Sequence, residues 1–188
     1  MIGIVAGCKE QDNYTRWLEH YRLPYKIIHD EAEAAEVSVM IFCGGPDLGL
    51  APERDALDKR IFLYCKAHEI PMWGGCRGMQ EIAHFLGAPL IQDLGELNAV
   101  HRSSEGKPRR HLIHLSNGEI MEVNSAHHQA VKEPPFACDL SAKAEDGTWE
   151  LMINHAKQLF LVQSHPEREE MWGSEIEQLC IRWIQSHA

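Results

Sequence analysis

Trp73-Gly74-Gly75-Cys76-Arg77-Gly78-Met79-Gln80 decides the reading of this chain. It joins Pro71 to Trp73, a short apolar run that predicts a buried strand, to Met79 to Leu86, whose spacing predicts a helix. A Gly-x-Cys-x-Gly turn between strand and helix is the cysteine form of a nucleophile elbow. Such a turn strains its central residue and brings backbones close together, so its neighbours must be small. Gly74 and Gly78 meet that need. The sulfur then sits at a helix N-terminus, where free N–H groups and the macrodipole favour thiolate. The Arg77 N–H points toward an oxyanion formed on any carbonyl that the thiolate attacks.

Upstream of the elbow, Ile2 to Ala6, Tyr25 to Ile28 and Val37 to Cys43 predict strands. Tyr14, Trp17, Leu18 and Tyr21 follow helical i, i+3, i+4, i+7 spacing, with Asn13 as the expected N-cap. Glu53 to His68 predicts a second helix, with Leu57, Ile61, Tyr64 and Cys65 on one face and Glu53-Arg54-Asp55 as an acidic, ion-paired start. Strands alternating with helices imply a parallel sheet covered on both faces. Downstream, His111 to Leu115, Ile120 to Asn124, Cys138 to Ala144, Trp149 to Asn154 and Leu159 to Gln163 are strand-like runs. Asn117-Gly118, Pro134-Pro135 and Asp146-Gly147 break them as turns. Leu94 to Arg110 predicts a polar loop, and Ile176, Leu179, Cys180, Trp183 and Ile184 a last amphipathic helix. The expected fold is α/β: a mostly parallel central sheet with helices on both faces, plus a smaller antiparallel or mixed β portion. Residues 1–188 are expected to form one domain.

A thiolate needs a base. Leu159-Phe160-Leu161-Val162-Gln163-Ser164-His165-Pro166-Glu167 is an apolar run ending in His-Pro-Glu. Pro166 stops helix propagation and stiffens the turn. Glu167 can then reach the far nitrogen of His165 and fix its tautomer, as in other nucleophile–base–orienter triads. Phe42-Cys43-Gly44-Gly45-Pro46-Asp47 places a Gly-Gly turn at the ligand-binding edge of a parallel sheet, and Gly45 is the candidate second oxyanion donor. The chain lacks GxGxxG and GxxxxGK[ST], the phosphate cradles of the Rossmann and P-loop folds. His111 and His114 lie three apart and face opposite sides of a strand, and His127-His128 has no evident partners, so no metal site is expected.

Composition narrows the class. Lys plus Arg is 18 and Asp plus Glu is 28, a net charge of −10, which opposes broad nucleic-acid backbone binding. No apolar run approaches the ~20 residues of a membrane span. Met1 to Gly7 has no basic start and predicts a strand rather than a signal peptide. The six cysteines form no CxxC pair, so reduced thiols and a cytoplasmic location are expected.

These elements in this order resemble the class I glutamine amidotransferase superfamily, and its γ-glutamyl-γ-aminobutyrate hydrolase (peptidase C26-like) branch most closely. The resemblance rests on Gly44-Gly45-Pro46-Asp47-Leu48, Glu53-Arg54-Asp55, Gly75-Cys76-Arg77-Gly78-Met79-Gln80, Val123-Asn124-Ser125-Ala126-His127-His128-Gln129-Ala130, Glu145-Asp146-Gly147-Thr148 and Gln163-Ser164-His165-Pro166-Glu167. It implies a flavodoxin-like sheet, a Cys76-His165-Glu167 triad, a γ-glutamyl acyl-enzyme and no cofactor. It further implies a glutamyl pocket formed by Gln80, Asn124, Ser125, His127 and His128. The chain departs from the pattern at Gly75, where an apolar residue is usual, and at Ser164, where an aromatic is usual; both changes are expected to widen the pocket. The basic run Lys107, Arg109 and Arg110 makes Arg109 and Arg110 candidate contacts for an anionic leaving group, such as that of γ-glutamyl-CDP-amidate. The expected partner is a small γ-glutamyl substrate, with no nucleic acid and no membrane. The alternative is a glutaminase subunit that delivers ammonia to a synthase partner.

Overall fold

The computed structural model describes residues 1–8, 10–104 and 107–188. Its strands are β1 (Ile2–Val5), β2 (Tyr25–Ile28), β3 (Val39–Phe42), β4 (Met72–Gly75), β5 (Leu90–Ile91), β6 (Arg109–Leu115), β7 (Ile120–Ser125), β8 (Ala130–Val131), β9 (Leu140–Ala144), β10 (Trp149–Asn154) and β11 (Leu159–Val162). Its α-helices are α1 (Gln11–His20), α2 (Pro52–Ala67), α3 (Arg77–Phe85), α4 (Asn98–His101) and α5 (Glu175–His187). Nine strands form one sheet in the order β2-β1-β3-β4-β11-β10-β9-β6-β7. From β2 to β11 every pairing is parallel; from β11 through β10, β9, β6 and β7 every pairing is antiparallel. The expected antiparallel portion therefore extends the parallel sheet, while β5 and β8 pair separately.

Alternating side chains divide the core into two layers. Ile2, Ile4, Val39, Ile41, Phe160 and Val162 pack with Tyr14, Trp17 and Leu18 of α1 and with Ile176, Cys180 and Ile184 of α5. Val5, Met40, Phe42, Leu159 and Leu161 pack with Ile61, Phe62 and Cys65 of α2 and with Met79, Ile82 and Ala83 of α3. Continuous apolar strands buried on both faces are what α/β packing requires, and they carry the parallel half of the sheet.

Two local expectations change. Helix α1 begins before Asn13, at Gln11, with Glu10 at its N-cap. The Asn13 amide instead donates to Glu10 and accepts from Arg16. Arg109 and Arg110 belong to strand rather than loop, because β6 extends to pair them with Ser125 and Asn124 of β7. The rest of the expected Leu94–Arg110 loop contains α4, and its residues 105 and 106 lie outside the described residues.

Candidate active site

β4 and β11 are parallel neighbours, with Val162 opposite Gly75, so their C-terminal ends deliver Cys76 and His165 to one edge of the sheet. Cys76 has φ 50° and ψ −107°, a left-handed conformation that L side chains adopt only at a cost of about 1–3 kcal/mol. Three features hold it there. The Cys76 N–H donates to the Val162 carbonyl at 2.8 Å. A Cβ on Gly74 would lie 2.7 Å from the Gly78 backbone. A Cβ on Gly78 would lie 2.0 Å from the Phe42 carbonyl oxygen. The two elbow glycines thus let β3, β4 and α3 approach as the sequence pattern requires.

The His165 ring is buried, and its Nδ1 lies 2.7 Å from Oε1 of the fully buried Glu167. Burial opposes charge on the imidazole, but Glu167 and Cys76 outweigh it and raise the His165 pKa well above its ordinary value. Burial likewise pushes the Cys76 thiol up, and the adjacent His165 overcomes it, so the thiol stands below its ordinary value. Gly44 makes room for the imidazole: a Cβ there would lie 3.0 Å from His165 Cε1. The Gly44 N–H is held by the Tyr14 hydroxyl at 2.9 Å. Arg77 opens α3, so its N–H has no intrahelical acceptor.

The Arg77 side chain turns away from the cavity into a buried charge network. It binds Asp55 at 2.6 Å, Asp58, and Glu81, while Arg54 binds Asp58 at 2.6 Å. Burial first, then Asp58, raises the Glu81 pKa well above the carboxylate range. The ion-paired start expected for α2 is therefore what anchors the elbow helix.

Cys76 and His165 share a cavity of about 590 Å³ with Gly45, Pro46 and Ala126. Gly7, Cys8, Glu10 and Arg168 complete its wall, and none of these four was singled out by the sequence. Arg168 and Glu10 form an ion pair at 3.1 Å. A cleft of about 720 Å³ between Gly7 and α2 adjoins this cavity but contains neither Cys76 nor His165.

Several expected pocket side chains lie behind the cavity wall. The Asn124 side chain accepts from the His165 N–H at 2.8 Å and donates to the His165 carbonyl at 3.0 Å. Ser125 Oγ donates to the His101 carbonyl at 2.8 Å. Gln80 donates to the Gln129 carbonyl at 2.9 Å and to Gln163 at 3.1 Å. His128 reaches Asp47 at 3.0 Å. Arg110 pairs with Glu122 and, like Arg109, is absent from the cavity wall. The expected widening is not found at Gly75, because the Trp73 indole fills that space: a Cβ would lie 2.6 Å from it. Ser164 is buried and also lies off the cavity wall. His127 does have a partner cluster, contrary to expectation, formed with His101 and Glu150. Those residues arrive from distant segments, so sequence spacing could not reveal them.

The model of the family described as Peptidase C26 matches residues 46–167, a span that runs from Pro46 through the elbow to His-Pro-Glu. The chain belongs to the peptidase C26 family. It thereby falls within the class I glutamine amidotransferase-like superfamily. Among curated relatives it is 27% identical over 164 residues to the glutamine-hydrolyzing GMP synthase of Streptococcus pyogenes serotype M5 (strain Manfredo), covering 81% of this chain and 29% of that one. It is 29% identical over 165 residues to that of Streptococcus agalactiae serotype Ia, with coverage of 81% and 29%. The C26 chain thus spans under a third of the length of these relatives. Among solved structures, a Thermoplasma acidophilum protein described as a GMP synthase subunit superposes with TM-score 0.71 and 19% identity, covering 98% of this chain and 96% of that one. A glutamine amidotransferase from Thermotoga maritima superposes with TM-score 0.67 and 13% identity, covering 98% and 84%. Both share the fold of this C26 chain. Among its described residues no helix is long and apolar enough to cross a membrane.

Proposed function

We propose that this chain, acting as a single domain in the cytoplasm, hydrolyses a γ-glutamyl amide through Cys76, His165 and Glu167. The observation that carries the reading is a left-handed cysteine elbow sharing a cavity with a histidine whose far nitrogen is bonded to a buried glutamate. The Cys76 thiolate attacks the γ-carbonyl carbon, and the backbone N–H groups of Gly45 and Arg77 receive the oxyanion. His165 imidazolium gives its proton to the departing amine, leaving a γ-glutamyl thioester. Neutral His165 then takes a proton from water, whose oxygen attacks the thioester; collapse returns the Cys76 thiolate and releases glutamate. Glu167 holds the tautomer and supports the imidazolium throughout. No step transfers an electron, and no cofactor is required.

The segment from Asn124 to His128 presents the glutamyl-binding wall through Ala126, with Gln80, Asn124, Ser125 and His127 supporting it from behind and His128 closing toward Asp47. Arg168, on the cavity wall, takes the role first expected of Arg109 and Arg110. A cation there suits a leaving amine that carries phosphate, as in γ-glutamyl-CDP-amidate. A charge-assisted hydrogen bond is worth about 1–3 kcal/mol. Arg168→Gln should therefore lower kcat/KM for a phosphate-bearing γ-glutamyl amide more than for glutamine. Equal losses would remove the anionic leaving group.

A second reading has one observation in its favour. The curated relatives are glutamine-hydrolyzing GMP synthases, and the chain matches less than a third of each. A glutaminase module would pass ammonia to a synthase partner. The deciding experiment assays the purified chain alone against glutamine and a panel of γ-glutamyl amides. Turnover that disappears in Cys76→Ala supports the stand-alone hydrolase. Turnover that requires an added synthase partner assigns the chain to the second class.

A further inference from the structure

A second cluster of ligand-type side chains lies behind the Ala126 wall. His101 closes α4, His111 lies on β6, His127 follows β7, and Glu150 lies on β10. His101, His127 and Glu150 are buried, and the His111 side chain is only 9% exposed. Glu150 Oε1 is 3.4 Å from His101 Nδ1, 3.6 Å from His111 Nε2 and 3.5 Å from His127 Nε2.

Each imidazole directs its other nitrogen at a fixed partner. His101 Nε2 lies 2.7 Å from Asp146 Oδ2, His127 Nδ1 lies 2.9 Å from the Gln129 carbonyl, and His111 Nδ1 lies 3.2 Å from the Leu112 carbonyl. These partners only accept, so each outer nitrogen carries the proton. In their neutral forms the three imidazoles present inner lone pairs to a carboxylate. Among the described residues, His111 Nε2, His127 Nε2 and both Glu150 oxygens have no hydrogen-bond partner. Buried acceptors facing one another without a cation are unfavourable.

The separations identify the cation. Hydrogen bonds would draw these atoms to about 2.7–3.2 Å. Ligands placed tetrahedrally about an ion at about 2.1 Å stand about 3.4 Å apart, and the ligand atoms of His101, His127 and Glu150 all lie within 4.8 Å of one another. The outer contacts to a carboxylate and to backbone carbonyls are the supports that metal-binding histidines require. Two imidazoles and one carboxylate suit zinc and disfavour magnesium or calcium, which prefer all-oxygen sites.

We propose that His101, His127 and Glu150 bind one zinc ion. All three are buried and none lines the cavity of Cys76 and His165, so the ion's role is structural. It ties α4 and β10 to the segment carrying Ala126, and so fixes one wall of the catalytic cavity. The site stands independently of the hydrolase reading.

The test uses the full chain carrying Cys76→Ala, which removes the catalytic thiol as a competing ligand. The protein is stripped with a chelator and titrated with zinc and, separately, cobalt(II). One equivalent should bind per chain, raise Tm, and give a tetrahedral cobalt spectrum without thiolate charge-transfer bands. Unfolding by the chelator that zinc reverses counts as the same result. Glu150→Gln and His127→Gln should each weaken zinc binding by about 100-fold or more. His127→Gln keeps a polar, uncharged side chain in place of the imidazole, so it reports even if Glu150→Gln fails to fold. Absence of stoichiometric uptake at micromolar zinc, or uptake indifferent to the substitution, overturns the proposal.

Discussion

The Asn124 side chain grips the His165 backbone from both sides, accepting its N–H at 2.8 Å and donating to its carbonyl at 3.0 Å. It thereby sets the position of the His165 ring without entering the cavity. Asn124→Ala leaves two buried backbone groups unpaired, at about 1–3 kcal/mol each. We expect a fall in kcat with a smaller change in KM, together with a lowered Tm. Asn124→Asp keeps only the acceptor for the N–H and should fall between the two. Equal kcat in wild type and Asn124→Ala would deny Asn124 this positioning role.

Gly78 lies so close to Phe42 that a Cβ would come within 2.0 Å of its carbonyl oxygen. Backbone cannot give way as a flexible side chain does. Gly78→Ala should destabilise the chain by about 3 kcal/mol or more, measured by urea unfolding. A near-neutral result would mean that β3 and α3 are less closely packed than the structure shows.

Thiol reactivity should follow the Cys76–His165 pair. A lowered thiol pKa keeps thiolate present to lower pH, and a raised imidazole pKa keeps imidazolium present to higher pH. Between the two values the ion pair dominates. Iodoacetamide should therefore alkylate Cys76 with a midpoint below the ~8.5 of a free cysteine. Glu167→Gln removes the charge that supports the imidazolium, so the midpoint should rise. Cys65, buried and pushed up to about 12 by that burial, should remain unmodified and serve as an internal control.

Arg77 is, with Arg54, one of two cations in a buried network containing Asp58 and Glu81. Arg77→Met keeps the backbone N–H of the elbow but leaves the acidic groups undercompensated. A loss of about 3–5 kcal/mol is expected in denaturant unfolding. Arg77→Lys should recover little of it, because an ammonium cannot reproduce the forked contacts to Asp55 and Asp58.

Much of this architecture was legible in local pattern. Tyr25–Ile28 and Trp149–Asn154 occupy the strand boundaries that their β-branched and aromatic content predicts, and Tyr14, Trp17 and Leu18 bury the face that their spacing selects. The elbow was legible because Gly74, Cys76 and Gly78 lie within one turn of chain. Arg168 was not, because nothing in its neighbours shows that it faces the cavity. Gly75 misled for a similar reason: the residue type showed missing volume, while the Trp73 ring that fills it was invisible.

The sequence by itself determined the order of strands and helices, the strained cysteine turn, and the His-Pro-Glu strand end, since each depends on contacts among residues a few positions apart. Only the tertiary structure decided what stands across from what. It turned Asn124 from an expected substrate contact into a clamp on His165, and placed His101, His111 and His127 around Glu150. Those arrangements depend on the order and register of a sheet in which β11 lies between β4 and β10. Such pairings join segments far apart in the chain, and their geometry exists only once burial of the two core layers has fixed the sheet.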